Sequence, residues 1–240
     1  MEFFFSNIKC KLSEHFSKFR IKEQVSVVDG FTITCHSGAL HTKMNTVSSV
    51  RKAVDWGAQV VEFDVSFRPD GTPVIIHNSS PSQNQGIFFE DALDEVAKSD
   101  TCKINLDIKS TKNLGAVDNL VKLKKLENRV FYTGVFEDWI ETVKATSSIP
   151  FYINYNPSTK ESNNDEYLEK IISTAKRTGA IGINSNFKGV SDKMVYAVQK
   201  SDLLVSLWTA NNINDMYKAL SFRPDNITTK NPNILKMLIK

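Results

Sequence analysis

The chain has 240 residues, enough for one large domain or two small ones. Its hydrophobic (41%) and charged (24%) fractions are those of a globular protein with a sizeable core. A net charge of +3 is too small to point to nucleic acid, and no apolar run approaches the length of a membrane span. The three cysteines, Cys10, Cys35 and Cys102, are scattered and odd in number. They form neither a disulfide framework nor a zinc spacing, which suits a reduced, cytoplasmic setting.

Residues 1–24 stand out as an amphipathic extension before a domain at 25–240. Phe4, Ile8, Leu12, Phe16 and Phe19 recur at helical spacing, with Lys9, Lys11, Lys18, Arg20 and Lys22 between them. Such a helix either packs its phenylalanines under the following domain or lies on an anionic membrane surface as a peripheral contact through residues 1–22. His15 reads as a surface residue of that segment.

Residues 31–36 read as a strand running into His36 and Gly38. From Asn45 the period becomes helical, with Val47, Val50 and Val54 on one face, Asn45 as N-cap and Gly57 as the stop. Residues 59–67 form a second strand, and Pro69-Asp70-Gly71 turns the chain into a short hairpin strand ending at His77. Further on, strands are expected at 103–109, 129–133, 150–155, 180–184, 203–209 and 226–229. Helices are expected at 90–98, 112–126, 136–146, 165–178, 191–200, 212–221 and from 231. In the helix at 136–146, Phe136, Trp139, Ile140 and Val143 share one face. Apart from the hairpin strand, eight strands alternate with helices, the pattern of an α/β protein with a closed (β/α)8 TIM barrel.

The chemistry-bearing residues cluster at strand ends. In the second strand Glu62 and Asp64 face one way and Val61, Phe63 and Val65 the other. Two carboxylates a strand pitch apart repel unless a cation lies between them, so the pair suggests a divalent metal site. Asn105, Asp107 and Lys109 alternate with Ile104, Leu106 and Ile108. The strands at 150–155 and 203–209 repeat this register, which places a site at the C-terminal face of the barrel. The Asn- and Ser-rich stretch 156–165 is a loop on that face. Cys35 should point away from the site.

Five blocks in order resemble the glycerophosphodiester phosphodiesterase family, within the phosphatidylinositol-specific phospholipase C-like superfamily. They are His36-Ser37-Gly38, Met44-Asn45-Thr46, Glu62-Phe63-Asp64-Val65, Asp70-Gly71-Thr72-Pro73-Val74 and His77-Asn78. The family pattern is His-Arg-Gly, Glu-Asn-Thr, Glu-Leu-Asp-Val, Asp-Gly-x-Pro-Val and His-Asp. Toward the C-terminus Trp208-Thr209-Ala210-Asn211 resembles a Trp-Thr-Val-Asn block. Asp225-Asn226-Ile227-Thr228-Thr229-Lys230-Asn231-Pro232 resembles a closing Asp-Gly-Ile-Ile-Thr-Asp-x-Pro.

The resemblance implies metal-dependent hydrolysis of a small glycerophosphodiester to glycerol phosphate and an alcohol. It assigns Glu62, Asp64 and Asp107 to one divalent cation, and an all-oxygen set suits Mg²⁺ or Ca²⁺. It assigns His36 and His77 as an acid-base pair and Lys109 as a charge on the phosphoryl oxygens; the alternative for Lys109 is a barrel-lining ion pair with Glu62. Trp208 would wall the glycerol or head group, unless it only fills the barrel, and Asn184 is a further substrate contact. His41, in the loop after Gly38, is either a phosphate contact or simply exposed.

Three departures count. Ser37 replaces the arginine that would clamp phosphate, Met44 replaces an acid, and Asn78 replaces Asp. The family's helical insertion after the second histidine is very short or absent, which opens the mouth. Two alternatives follow: a sphingomyelinase D-like enzyme releasing a cyclic phosphate, and a non-catalytic barrel that binds phosphate or a head group.

Overall fold

The computed structural model describes residues 23–240, so the expected helix at 1–22, with Cys10 and His15, lies outside the described residues. Eight parallel strands close into a barrel: β1 (Thr32–Cys35), β2 (Val60–Phe67), β5 (Lys103–Ile108), β6 (Val130–Val135), β7 (Phe151–Asn154), β8 (Gly182–Asn186), β9 (Leu204–Trp208) and β10 (Asn226–Thr229). Pairing of β1 with both β10 and β2 completes the ring. Strands β3 (Pro73–Ile75) and β4 (Ile87–Phe88) extend β2 as antiparallel additions.

The helices are α1 (Val47–Asp55), α2 (Phe89–Val96), α3 (Leu114–Leu123), α4 (Ile140–Thr146), α5 (Asp165–Thr178), α6 (Asp192–Gln199), α7 (Ile213–Ser221) and α8 (Pro232–Met237). None is long and apolar enough to cross a membrane. The core lies between strands and helices, where Phe63, Leu106, Ile153, Ile183 and Val205 are fully buried. A parallel barrel buries both strand faces, and all eight residues of β2 are buried.

Much of the polar barrel interior is hydrogen-bonded, as buried polar groups usually are. Thr133 Oγ1 donates to Asn105 Oδ1 at 2.7 Å, and Asn184 Nδ2 donates to Asn154 Oδ1 at 3.0 Å. Asn226 Nδ2 donates to the hydroxyls of Thr32 and Thr34 at 2.8 Å. These bonds tie neighbouring strands together across the lumen and give the site above them a stiff floor.

Four local expectations are corrected. Thr46, not Asn45, caps α1, accepting from the Ser49 N–H, because Asn45 takes a left-handed φ of 53° and turns its amide toward β2. Strand β6 continues past Thr133 through a bulge at Gly134, a left-handed residue that looks like a strand end in the sequence. The face proposed for 136–146 divides: a 3-10 turn at Glu137–Trp139 precedes α4, so Ile140 and Val143 are buried while Phe136 is exposed. Strand β8 begins two residues later than expected, since Ala180 still closes the end of α5 by donating to the Ala175 carbonyl. Gly57, at φ 84°, ends α1 as expected.

Candidate active site

A cleft of about 490 Å³ opens at the C-terminal ends of the barrel strands, lined by His36, Glu62, Asp64, His77, Asp107, Lys109, Asn184 and Trp208, among others. All eight residues singled out in the sequence therefore face one space. His41, by contrast, is exposed and does not line it.

The carboxylates meet because of strand register. Asp64 pairs with Asp107 across β2 and β5, and Glu62 sits two residues before Asp64 on the same face. One oxygen from each of Glu62, Asp64 and Asp107 lies within 4.8 Å of the others. Glu62 Oε2 accepts from the Ser37 N–H at 2.7 Å. Asp64 Oδ2 accepts from Asn45 Nδ2 at 2.7 Å. Asp107 Oδ1 is buried and has no hydrogen-bond partner. Burial pushes Glu62 up to about 7; Asp64 and Asp107 add repulsion, partly offset by His36 and the Ser37 amide. Burial also raises Asp107, against the pull of Lys109.

Lys109 Nζ lies 3.0 Å from Asp64 Oδ1 and 2.8 Å from Asp107 Oδ2. The ion pair weighed in the sequence with Glu62 is thus made with the other two acids. Burial disfavours the ammonium, but Asp107 and Asp64 outweigh it and raise its pKa above the ordinary lysine value. Its backbone is fixed by donation to the Val65 carbonyl of β2 at 2.8 Å.

His36 stands at the end of β1, its amide bound to the Thr229 carbonyl. Its Nδ1 is 2.7 Å from the Ser37 carbonyl and 3.7 Å from Glu62 Oε2. A carbonyl only accepts, so Nδ1 carries the proton and Nε2 holds the lone pair in the neutral ring. His77 follows the hairpin strand β3. Donation from the Ile76 amide to the Asp64 carbonyl at 3.1 Å holds that strand end beside the acids.

Several residues of the site were not singled out in the sequence. Asn45 links Ser37 to Asp64: its Nδ2 reaches Asp64, and its own amide donates to Ser37 Oγ at 2.6 Å. Only its position after Met44 in a family block hinted at this. Gly134 presses against Asp107, so that a Cβ there would collide with the carboxylate. Phe136 and Trp139 also line the cleft, their rings edge to face at 6.3 Å, and Trp208 lines it with a buried, unpartnered Nε1. Trp208 therefore borders the cleft. Of the Asn- and Ser-rich loop, Asn156 lines the cleft. Ser37 is buried and bonded to Asn45, so position 37 contributes no charge. Cys35 is buried in the hydrophobic core, as expected, and burial pushes its thiol up to about 12.

Comparison with known proteins finds similar chains and similar barrels. The model of the glycerophosphoryl diester phosphodiesterase family matches residues 36–82. A glycerophosphodiester phosphodiesterase of Caldanaerobacter subterraneus subsp. tengcongensis is 20% identical over 230 residues, covering 82% of this chain and 92% of that protein. A glycerophosphodiester phosphodiesterase from Parabacteroides distasonis superposes with a TM-score of 0.69 at 18% identity, over 88% of this chain and 97% of its own. An Oleispira antarctica phosphodiesterase, solved in complex with the product sn-glycerol-3-phosphate, superposes with a TM-score of 0.70 at 16% identity, over 86% and 96%. The structures share the barrel. The chain is thus similar to glycerophosphodiester phosphodiesterases, and the family model falls on residues 36–82, the stretch that carries both histidines and two of the three acids.

Proposed function

We propose that the chain hydrolyses glycerophosphodiesters to glycerol phosphate and an alcohol, with a divalent cation on Glu62, Asp64 and Asp107. The observation that carries this reading is the meeting of three acids, two histidines and Lys109 in one cleft at the barrel mouth. The donor set fits a hard cation: three carboxylates converge, and Asp107 Oδ1 is buried with no other partner. Bound there, Mg²⁺ or Ca²⁺ would supply Lewis-acid stabilisation of charge on the phosphoryl group.

The chain's own groups do the rest. One histidine takes the proton from the attacking oxygen and the other gives a proton to the departing alcohol. The Ser37 carbonyl fixes the His36 tautomer, so its Nε2 is ready to accept a proton. Lys109, released from part of its pairing as the acids take up a cation, would place its charge on phosphoryl oxygens. Trp208 and Asn184, which border the cleft, would hold the glycerol or head group. The named relatives support the substrate class, including the one that holds sn-glycerol-3-phosphate.

The test is release of choline from glycerophosphocholine with and without a chelator, repeated with His36→Ala and His77→Ala. Chelation should abolish turnover. Each histidine variant should lose roughly two to four orders of magnitude in rate while keeping metal affinity. Full activity of a metal-stripped sample would sink the metal site, and metal loss in His77→Ala would make that residue a ligand.

A further inference from the structure

Lys230 follows β10, beside the strand end that carries His36. Its backbone is pinned on both sides: the N–H donates to Asn211 Oδ1 at 2.8 Å, and the carbonyl accepts from the Leu40 N–H at 3.0 Å. The half-buried side chain ends with Nζ 3.3 Å from Met44 Sδ, and Met44 lines the cleft. A thioether is a weak acceptor, so it leaves an ammonium largely unsatisfied. Among the described residues no salt bridge engages Lys230, whereas Lys109 is held by two carboxylates.

Charge at the site shows what such a cation is for. Ionised Glu62, Asp64 and Asp107 carry three negative charges, which Lys109 and a divalent cation together cancel. A phosphodiester would bring one further negative charge into a cleft whose lining holds no lysine or arginine besides Lys109. Ser37, where the family pattern has arginine, is neutral and buried. Lys230 stands where the closing family block has an acid. The β1–β10 pairing puts the two positions on adjacent strand ends, so a cation absent from one is present at the other. Met44, flexible and apolar, is a surface along which the amine can swing without competing for its charge.

We propose that Lys230 is the second cationic contact of the substrate's phosphodiester oxygens, taking over the clamp that Ser37 does not provide. The inference rests on the phosphodiesterase reading. It is tested on the metal-loaded protein by calorimetric binding of sn-glycerol 3-phosphate and by steady-state cleavage of glycerophosphocholine, each from low to high salt. Lys230→Gln should raise both Kd and KM roughly tenfold at low salt, with the larger part of the loss in KM, and the gap should narrow as salt rises. Lys230→Arg should restore both to within about threefold of the parent. Parent-like binding and KM in Lys230→Gln would overturn the clamp and leave the phosphodiesterase reading standing. A loss that ignores salt and that arginine does not rescue would make Lys230 structural and also overturn it. A parent protein that neither binds glycerol phosphate nor cleaves the diester would overturn both.

Discussion

Asp107 depends on what is missing beside it. Gly134 has a φ of 76°, and a Cβ on it would meet the Asp107 carboxylate and the Ile108 backbone. Gly134→Ala therefore pays about 1 kcal/mol for left-handed backbone and also pushes Asp107 out of the carboxylate cluster. The expected outcome is a folded protein with Mg²⁺ or Ca²⁺ affinity reduced at least about tenfold, the order seen when support around metal ligands is disturbed. Calorimetric metal titration of the variant reads this, and unchanged affinity would show that Asp107 is not a ligand. The same residue marks a limit of sequence reasoning. Glu62 and Asp64 were legible because strand alternation alone places them on one face. Asp107 needed the family resemblance, since one acid on a strand is common. Asn45, Gly134 and Lys230 stayed hidden because each acts through a neighbour distant in the sequence, an approach that only strand register creates.

Helices α1 and α2 pack side by side, and one buried carboxylate ties them. Glu95 on α2 accepts from Arg51 of α1 at 2.8 Å and from Lys98 at 2.7 Å. Hydrogen bonds from Arg51 and Lys98 hold its pKa down to about 2, against an ordinary value of 4.5. A lowered carboxylate stabilises the fold above its unfolded pKa, and that contribution disappears as pH falls from about 4.5 through about 2. Both cations are more than half exposed, so solvent screening keeps the effect modest. Glu95→Gln should cost about 1 kcal/mol in urea unfolding at pH 7, and its deficit should shrink toward zero as pH approaches 2. A deficit equal at pH 7 and pH 3 would assign Glu95 to packing instead of charge. Elements of this kind were the most legible part of the fold, because buried strands and amphipathic helices write their periods into the sequence. The short pieces were not legible. The strand β4 has two residues and the 3-10 turn after β6 three, too few for a period to show.

At the scale of the molecule, counting eight strand-helix units suggested a barrel. Closure itself, β1 against β10, joins residues nearly two hundred positions apart and leaves no local trace. Closure is what sets the ends of β1 and β10, which lead into His36 and Lys230, side by side. Among the described residues the link from β3 to β4, residues 76–86, is short where the family pattern carries a helical insertion, and the cover it gives is thin. Hydrolase and lyase share the first displacement, in which an alcohol is expelled from the phosphodiester as a proton passes to it. They part over the cyclic phosphate formed when the glycerol 2-hydroxyl attacks. A hydrolase must keep that species while water opens it, with the histidines exchanging acid and base roles. A thin cover and a neutral Ser37 favour some escape. Trp208 and the Phe136–Trp139 pair bordering the cleft favour retention, and the intact Asp70–Val74 block fits the hydrolase branch. Phosphorus NMR of glycerophosphocholine turnover should therefore show open-chain glycerol phosphate as the main product, with a minor cyclic species. A cyclic phosphate that persists as the sole product would overturn the hydrolase reading and move the chain's chemistry to the sphingomyelinase D-like alternative.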